Sequence, residues 1–144
     1  MTEEITVRVI QCAPELGNVQ HNVQLAEQAI KDAEADSVDL IVLPELFLSG
    51  YHIGHVDAEE VINSTADAID RLTAAASKTT VVFGTPIESD GARYNAAVVL
   101  DEGELAGTYY KTHLYGNEES VFDEGSVLPV FQTSAGTLGI QSCY

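Results

Sequence analysis

Between two stretches of helical periodicity lies a short, nearly unbroken apolar run, Val38-Asp39-Leu40-Ile41-Val42-Leu43, closed by Pro44. A run this short, bounded by a proline, reads as a strand covered on both faces, the kind found inside α/β sheets. Upstream, Val19, Val23, Ala26, Ile30 and Ala33 recur at alternating spacings of 4 and 3. They form one apolar stripe on a helix that follows a Gly17-Asn18 turn and cap and runs to about Asp36. Downstream, Val61, Thr65, Ala68, Leu72 and Ala75 trace a second stripe, opened by Asp57 and Glu60 in the manner of a capping box.

Residues 5–13 are β-rich with partial alternation, so the order begins strand, helix, strand, helix. Strands then follow one another: residues 79–87 (TTVVFGTPI), an Asp90-Gly91 turn, residues 94–100 (YNAAVVL), an Asp101-Glu102-Gly103 turn, and residues 104–110 (ELAGTYY). A polar loop is expected over residues 112–128, then strands at 129–133 and 138–143 flanking Ser134-Ala135-Gly136. This order predicts a layered α/β fold, a mixed sheet with helices on one face. There is no internal repeat, low-complexity tract or linker, and 144 residues at 45% hydrophobic content can bury one core if the layers are complete.

The ionisable residues are lopsided, with 23 Asp and Glu against 6 Lys and Arg, a net charge of −17. Such a surface repels phosphate backbones and anionic lipid, which argues against nucleic acid and membranes as partners. The acids are interspersed among periodic apolar positions, the pattern of a folded protein. A salt-adapted host accounts for the excess, because a dense carboxylate shell is tolerated where ions screen its self-repulsion. The N-terminus is acidic where a signal peptide is basic, and no apolar run approaches the roughly 18 residues that span a bilayer. A cytoplasmic location is expected. Two cysteines, Cys12 and Cys143, make no disulfide framework, and Cys12, inside the first expected strand, reads as a small buried hydrophobe.

Three reactive side chains fall at strand ends, where α/β sheets place their sites. They are Glu45 in Leu43-Pro44-Glu45-Leu46-Phe47, Lys111 in Tyr109-Tyr110-Lys111-Thr112-His113, and Cys143 in Gln141-Ser142-Cys143-Tyr144. Singly each is ordinary: a solvated loop acid, a snorkelling lysine, a buried thiol. Together they compose a nucleophilic site. An unassisted thiol is only a few per cent ionised at neutral pH. Glu45 could accept its proton, and Lys111 could stabilise the thiolate and the oxyanion that forms when sulfur attacks a carbonyl or nitrile carbon.

In these motifs the chain resembles the nitrilase, or carbon-nitrogen hydrolase, superfamily. The resemblance runs through VRVIQCAPELGNVQHN, DLIVLPELFLSGY, VVFGTPIESDGARYNAAVVL, GTYYKTHLYGNEESVFDEG and PVFQTSAGTLGIQSCY, in the family's order. It implies a catalytic Glu45, Lys111 and Cys143, and a second glutamate in the loop after the lysine. Counting back from Phe122 and Gly125 places that glutamate at Glu118, with Glu119 one residue away. The implied chemistry is hydrolysis of a non-peptide carbon-nitrogen bond through a thioester, with the oxyanion held by Lys111 and the backbone N–H of Tyr144. No metal or organic cofactor is implied, and His21, His52, His55 and His113 show no metal-ligand spacing. A Tyr after the nucleophile favours the amidase-like branch over true nitrilases.

Family members are roughly twice as long and fold as a four-layer α-β-β-α sandwich. The chain therefore reads as the N-terminal part of one such domain, truncated just after the nucleophile. On that reading one sheet face lacks its cover, and the chain is expected to form a homo-oligomer or to need the missing C-terminal half. A terminal carboxylate beside Cys143 disfavours a thiolate, so weak turnover is expected of the chain alone. Two other readings compete: a non-catalytic remnant acting as a subunit or interaction module, and a thiol hydrolase pairing Cys143 with His113.

Overall fold

The computed structural model describes residues 4–143. The chain opens with a short strand β1 (Val7–Val9), then helix α1 (Val19–Ala35), strand β2 (Leu40–Val42) and helix α2 (Ala58–Ala75). Three longer strands follow, β3 (Thr80–Ser89), β4 (Ala92–Asp101) and β5 (Glu104–Tyr110), and the chain ends in the hairpin β6 (Val130–Thr133) and β7 (Gly136–Gly139). Strands β1 to β5 form one five-stranded sheet in sequence order. The pairs β1–β2 and β2–β3 are parallel, each joined by a helix, and β3–β4 and β4–β5 are antiparallel hairpins. This is the expected mixed sheet, with the two helices on one face.

Local chemistry explains the boundaries. The Asn18 side chain accepts the His21 N–H at 3.1 Å and caps α1, and Asp57 does the same for Glu60 on α2. Both central residues of each hairpin turn, Asp90-Gly91 and Glu102-Gly103, have positive φ, which matches the twist of the flanking strands.

Strand alternation divides the core. Ile41, Val81, Phe83, Val98 and Leu100 face the helices and pack on Val23, Ile30 and Leu72. Their neighbours Leu40, Val82, Val99 and Tyr109 face the other way and pack on Phe131 and Ala135 of the terminal hairpin. That second face was expected to lack cover, and the β6–β7 hairpin covers part of it. Apolar side chains stay exposed at the sheet edges and on the hairpin, among them Val9 at 66%, Leu105 at 54% and Val130 at 62%.

Three expectations are corrected. The first strand is shorter than residues 5–13, so Cys12 lies beyond it and is exposed, not buried. Edge strand β1 pairs only with β2 among the described residues, and residues 11–13 beyond it are exposed. The last strand begins at Gly136, because Ser134-Ala135 alone makes the turn, and it ends at Gly139, leaving residues 140–143 irregular. The loop over 112–128 contains a 3-10 turn, Gly116–Ser120.

Gly84 on β3 fixes the loop that carries Glu45. Its N–H donates to Pro44 O at 3.1 Å and its carbonyl accepts from Leu48 N at 3.2 Å. A Cβ there would overlap Leu46 N and lie 2.6 Å from Pro44 O. Gly84→Ala is therefore expected to lower stability by about 1–3 kcal/mol, the usual cost of overpacking. Chemical denaturation checks it, and an unchanged midpoint would contradict this account of the loop.

Candidate active site

Glu45 meets Lys111, 66 residues further on, and Glu118, seven residues after the lysine, in one network. Lys111 ends β5 and is held by its backbone at both poles: its N–H donates to Asn95 O at 2.8 Å, and its carbonyl accepts from Gly125 N at 2.8 Å. Its side chain is buried to 1% exposure, which a lone ammonium would not tolerate. Nζ donates to Glu45 Oε1 at 2.7 Å and to Glu118 Oε1 and Oε2 at 3.0 and 2.8 Å. An ammonium has three protons, so these contacts occupy all of its donors. Burial pulls the Lys111 ammonium toward neutrality, but hydrogen bonds to Glu118 and Glu45 outweigh it and leave its pKa well above the usual lysine range.

The 3-10 turn brings Glu118, 6% exposed, over Lys111, and leaves Glu119 facing solvent. Besides Lys111, Glu118 accepts Tyr115 N at 2.7 Å and Asn95 Nδ2 at 2.8 Å. Burial alone would raise its carboxyl, whereas the hydrogen bonds from Lys111, Tyr115 and Asn95 hold it below the usual carboxylate value. Glu45 differs in being open to the outside, its side chain 25% exposed. Its Oε1 takes both Lys111 and Asn95 Nδ2, at 2.7 and 2.8 Å, which leaves Oε2 without a protein donor among the described residues.

Cys143 is exposed and has no hydrogen bond to the three charged groups among the described residues. It borders a cavity of about 260 Å³ with His113, Leu114 and Tyr115. Tyr51 lies beside Glu118, where both wall one cavity. Burial, then the charges of Glu118 and Glu45, push its hydroxyl pKa up; Lys111 opposes them and Cys143 adds to them. Tyr144, the expected oxyanion donor, lies outside the described residues.

Backbone conformation marks the same region. Leu46, immediately after Glu45, has φ 49° and Cys143 has φ 60°, left-handed values that side-chain-bearing residues rarely adopt. Beside Glu118 a second cavity of about 380 Å³ is walled by Tyr51, His52, His55, Tyr115 and Phe122. The His52 and His55 rings stack at 5.4 Å. A larger cavity, about 620 Å³, lies between α1 and α2 near Asn18, Val23 and Val61 and touches none of the charged network. Chemistry, not size, locates the site.

The sequence reading missed Asn95 and Tyr51. Asn95 carried a usable signal, an amide inside the apolar run YNAAVVL, which demands a buried partner. Among the described residues, no cluster of three or more His, Cys, Asp or Glu is arranged to hold a metal ion, and no helix is long and apolar enough to cross a membrane.

Comparison with known proteins adds the following. A family model for carbon-nitrogen hydrolases matches residues 6–144. A nitrilase of Pyrococcus abyssi is 30% identical over 97% of the chain and 56% of its own length. A glutamine-dependent NAD(+) synthetase of Thermotoga maritima is 33% identical, over 98% of the chain and 26% of that protein. Among solved structures, the NitN amidase of Nesterenkonia sp. AN1 superposes with a TM-score of 0.84 at 26% identity, covering 98% of the chain and 58% of the amidase. Another structure of that amidase records Michael addition of acrylamide at its active-site cysteine. The chain spans about half the length of the nitrilases and hydrolases it matches.

Proposed function

The chain belongs to the carbon-nitrogen hydrolase family, and on that footing we propose that it carries the catalytic half of an amidase in which Cys143 is the nucleophile, Glu45 the base and Lys111 the oxyanion donor. The observation that carries this reading is the buried ammonium of Lys111 gripped between Glu45 and Glu118, with Glu45 Oε2 still open to a reacting partner. A base needs such an oxygen, and the quarter of the Glu45 side chain that is exposed leaves it within reach of such a partner.

Glu45 takes the Cys143 thiol proton, sulfur bonds to the amide carbon, and the carbonyl π pair moves to oxygen. Protonation of Glu45 weakens its hold on Lys111, whose three donors are otherwise spent on carboxylates, and frees an N–H for the oxyanion. Glu45 then delivers its proton to nitrogen as the C–N bond breaks, releasing ammonia and leaving a thioester. Water, deprotonated by Glu45, attacks the thioester, the C–S bond breaks, and the thiolate recovers the proton. Glu118 stays ionised and balances Lys111 throughout.

We also propose that further polypeptide, in cis or as a second subunit, covers exposed apolar side chains at the sheet's two edges, Val7 and Val9 on β1 and Leu105 on β5, and completes the acyl pocket. Simple amides are the preferred substrates and nitriles the poorer ones, in keeping with Tyr144 after the nucleophile. The test is ammonia release from aliphatic amides by the protein complete with that portion. Glu45→Gln is expected to lower kcat by about 10² to 10⁴, the range for a general base, with little change in His113→Ala. The control matters because His113 borders the same cavity as Cys143. Loss of activity in His113→Ala with Glu45→Gln unaffected would support the cysteine-histidine reading instead, and no turnover of any amide or nitrile would support a non-catalytic subunit.

A further inference from the structure

Asn95 touches every charged member of the network, although it carries no charge. It sits on β4 at 2% exposure, opposite Pro86 on β3. Its backbone carbonyl holds the Lys111 N–H at 2.8 Å. Its side-chain amide donates to Glu45 Oε1 and to Glu118 Oε1, both at 2.8 Å. A carboxamide nitrogen has two protons, so both are committed, one to each carboxylate. The opposite amide orientation would aim its oxygen at two anions, so the network itself dictates which way the group points.

We propose that Asn95 is a positioning residue that selects which oxygen of Glu45 acts as the base, a role that rests on the amidase reading above. Two donors, Lys111 and Asn95, converge on Oε1 and occupy its lone pairs. The proton from the nucleophile is therefore received at Oε2, the only oxygen of Glu45 left open. The choice of side chain follows from electrostatics. Two carboxylates and one ammonium leave a net negative charge in a buried place, and a second cation there would compete with Lys111 for both acids. A neutral group with two donors pins the carboxylates at a fixed separation and adds no charge. Leucine would fill much the same volume but would leave both Oε1 atoms short of a donor, and aspartate would add a third anion.

The test compares Asn95→Asp and Asn95→Leu with the wild type in the complete protein, using ammonia release across pH, thermal unfolding, and titration of active sites through Cys143 labelling. Asn95 is argued to act through Glu45 and not on the substrate. KM should therefore stay within about threefold while kcat per folded site falls about 10- to 100-fold, as for a misplaced catalytic group. The acid limb of the kcat/KM profile should also move to higher pH, because a carboxylate that loses a donor holds its proton more tightly. Wild-type kcat and an unmoved acid limb in either folded variant would overturn the proposal. So would a fall in activity that merely tracks the folded fraction, with the remaining sites keeping the wild-type profile. Failure of the underlying reading looks different: turnover would survive in Cys143→Ala, whatever the Asn95 variants do.

Discussion

Cys143→Ala is expected to lower kcat for amide hydrolysis by a factor on the order of 10⁴ to 10⁶, the loss seen when one member of a nucleophilic triad is removed. The residual rate would come from binding alone. Groups that act as one device are strongly non-additive, so adding Glu45→Gln to Cys143→Ala should cost almost nothing more. That double variant separates a concerted device from two independent contributions. Thiol labelling provides a second view, because Cys12 and Cys143 are both exposed. A reagent meets them on similar terms, and faster reaction at Cys143 reports activation and not access. Full activity in Cys143→Ala would remove the nucleophile from the scheme.

Lys111→Met should have the largest effect on stability. It would leave Glu45 and Glu118 facing one another with Asn95 as their shared donor. Breaking one side of a buried ion pair costs about 3–5 kcal/mol, because the remaining charge loses its partner while staying out of water. Turnover should fall by a further factor of about 10² to 10³ for the lost oxyanion donor. Adding Glu118→Gln should restore part of the stability but none of the activity, a coupling that a double-mutant cycle measures.

The pH dependence of that stability difference has a definite sign. Glu118 is held below the usual carboxylate value, so its contribution is complete above about pH 4.3 and fades as pH falls through the folded value. Lys111 is held above the usual lysine value, so its contribution is complete below about pH 10.4 and fades as pH rises through its folded value. The gap between wild type and Lys111→Met should therefore be widest from neutral pH to about pH 10, narrow above that as Lys111 is lost, and narrow toward acid, where the unpartnered Glu118 of the variant, its carboxyl raised by burial, takes up a proton and relieves its cost. Denaturant midpoints across that range measure it, and a gap that peaks at either extreme would contradict the assignment.

Much of the fold was legible because its signals are local. The stripes on α1 and α2 repeat at helical spacing, and Asp90-Gly91 and Glu102-Gly103 carry the left-handed preference that their turns need. Signals that depend on distant partners were not. Lys111, taken singly, reads as a snorkelling surface residue, and it is buried only because Glu45, 66 positions earlier, and Glu118, in the loop that follows, close on it together. Nothing local distinguishes Glu118 from Glu119; the 3-10 turn decides, placing one inside and the other in solvent. Cys12 went the other way, since a β-rich stretch does not reveal that its strand ends at Val9 on an uncovered edge. Asn95 was missed: its amide breaks an apolar strand, but the two acids that need it lie 50 and 23 positions away.

The central claim is that the sulfur of Cys143 forms a thioester with the substrate's acyl group. Acid-quenching the complete protein during steady-state turnover of an amide, then digesting it and weighing the peptides, tests this directly. The account predicts that the peptide containing Cys143 gains the mass of the acyl group, that the peptide containing Cys12 does not, and that no adduct forms in Cys143→Ala. Product forming at the full rate with Cys143 unmodified at every time point, in an assay that recovers a synthetic thioester standard, would contradict it.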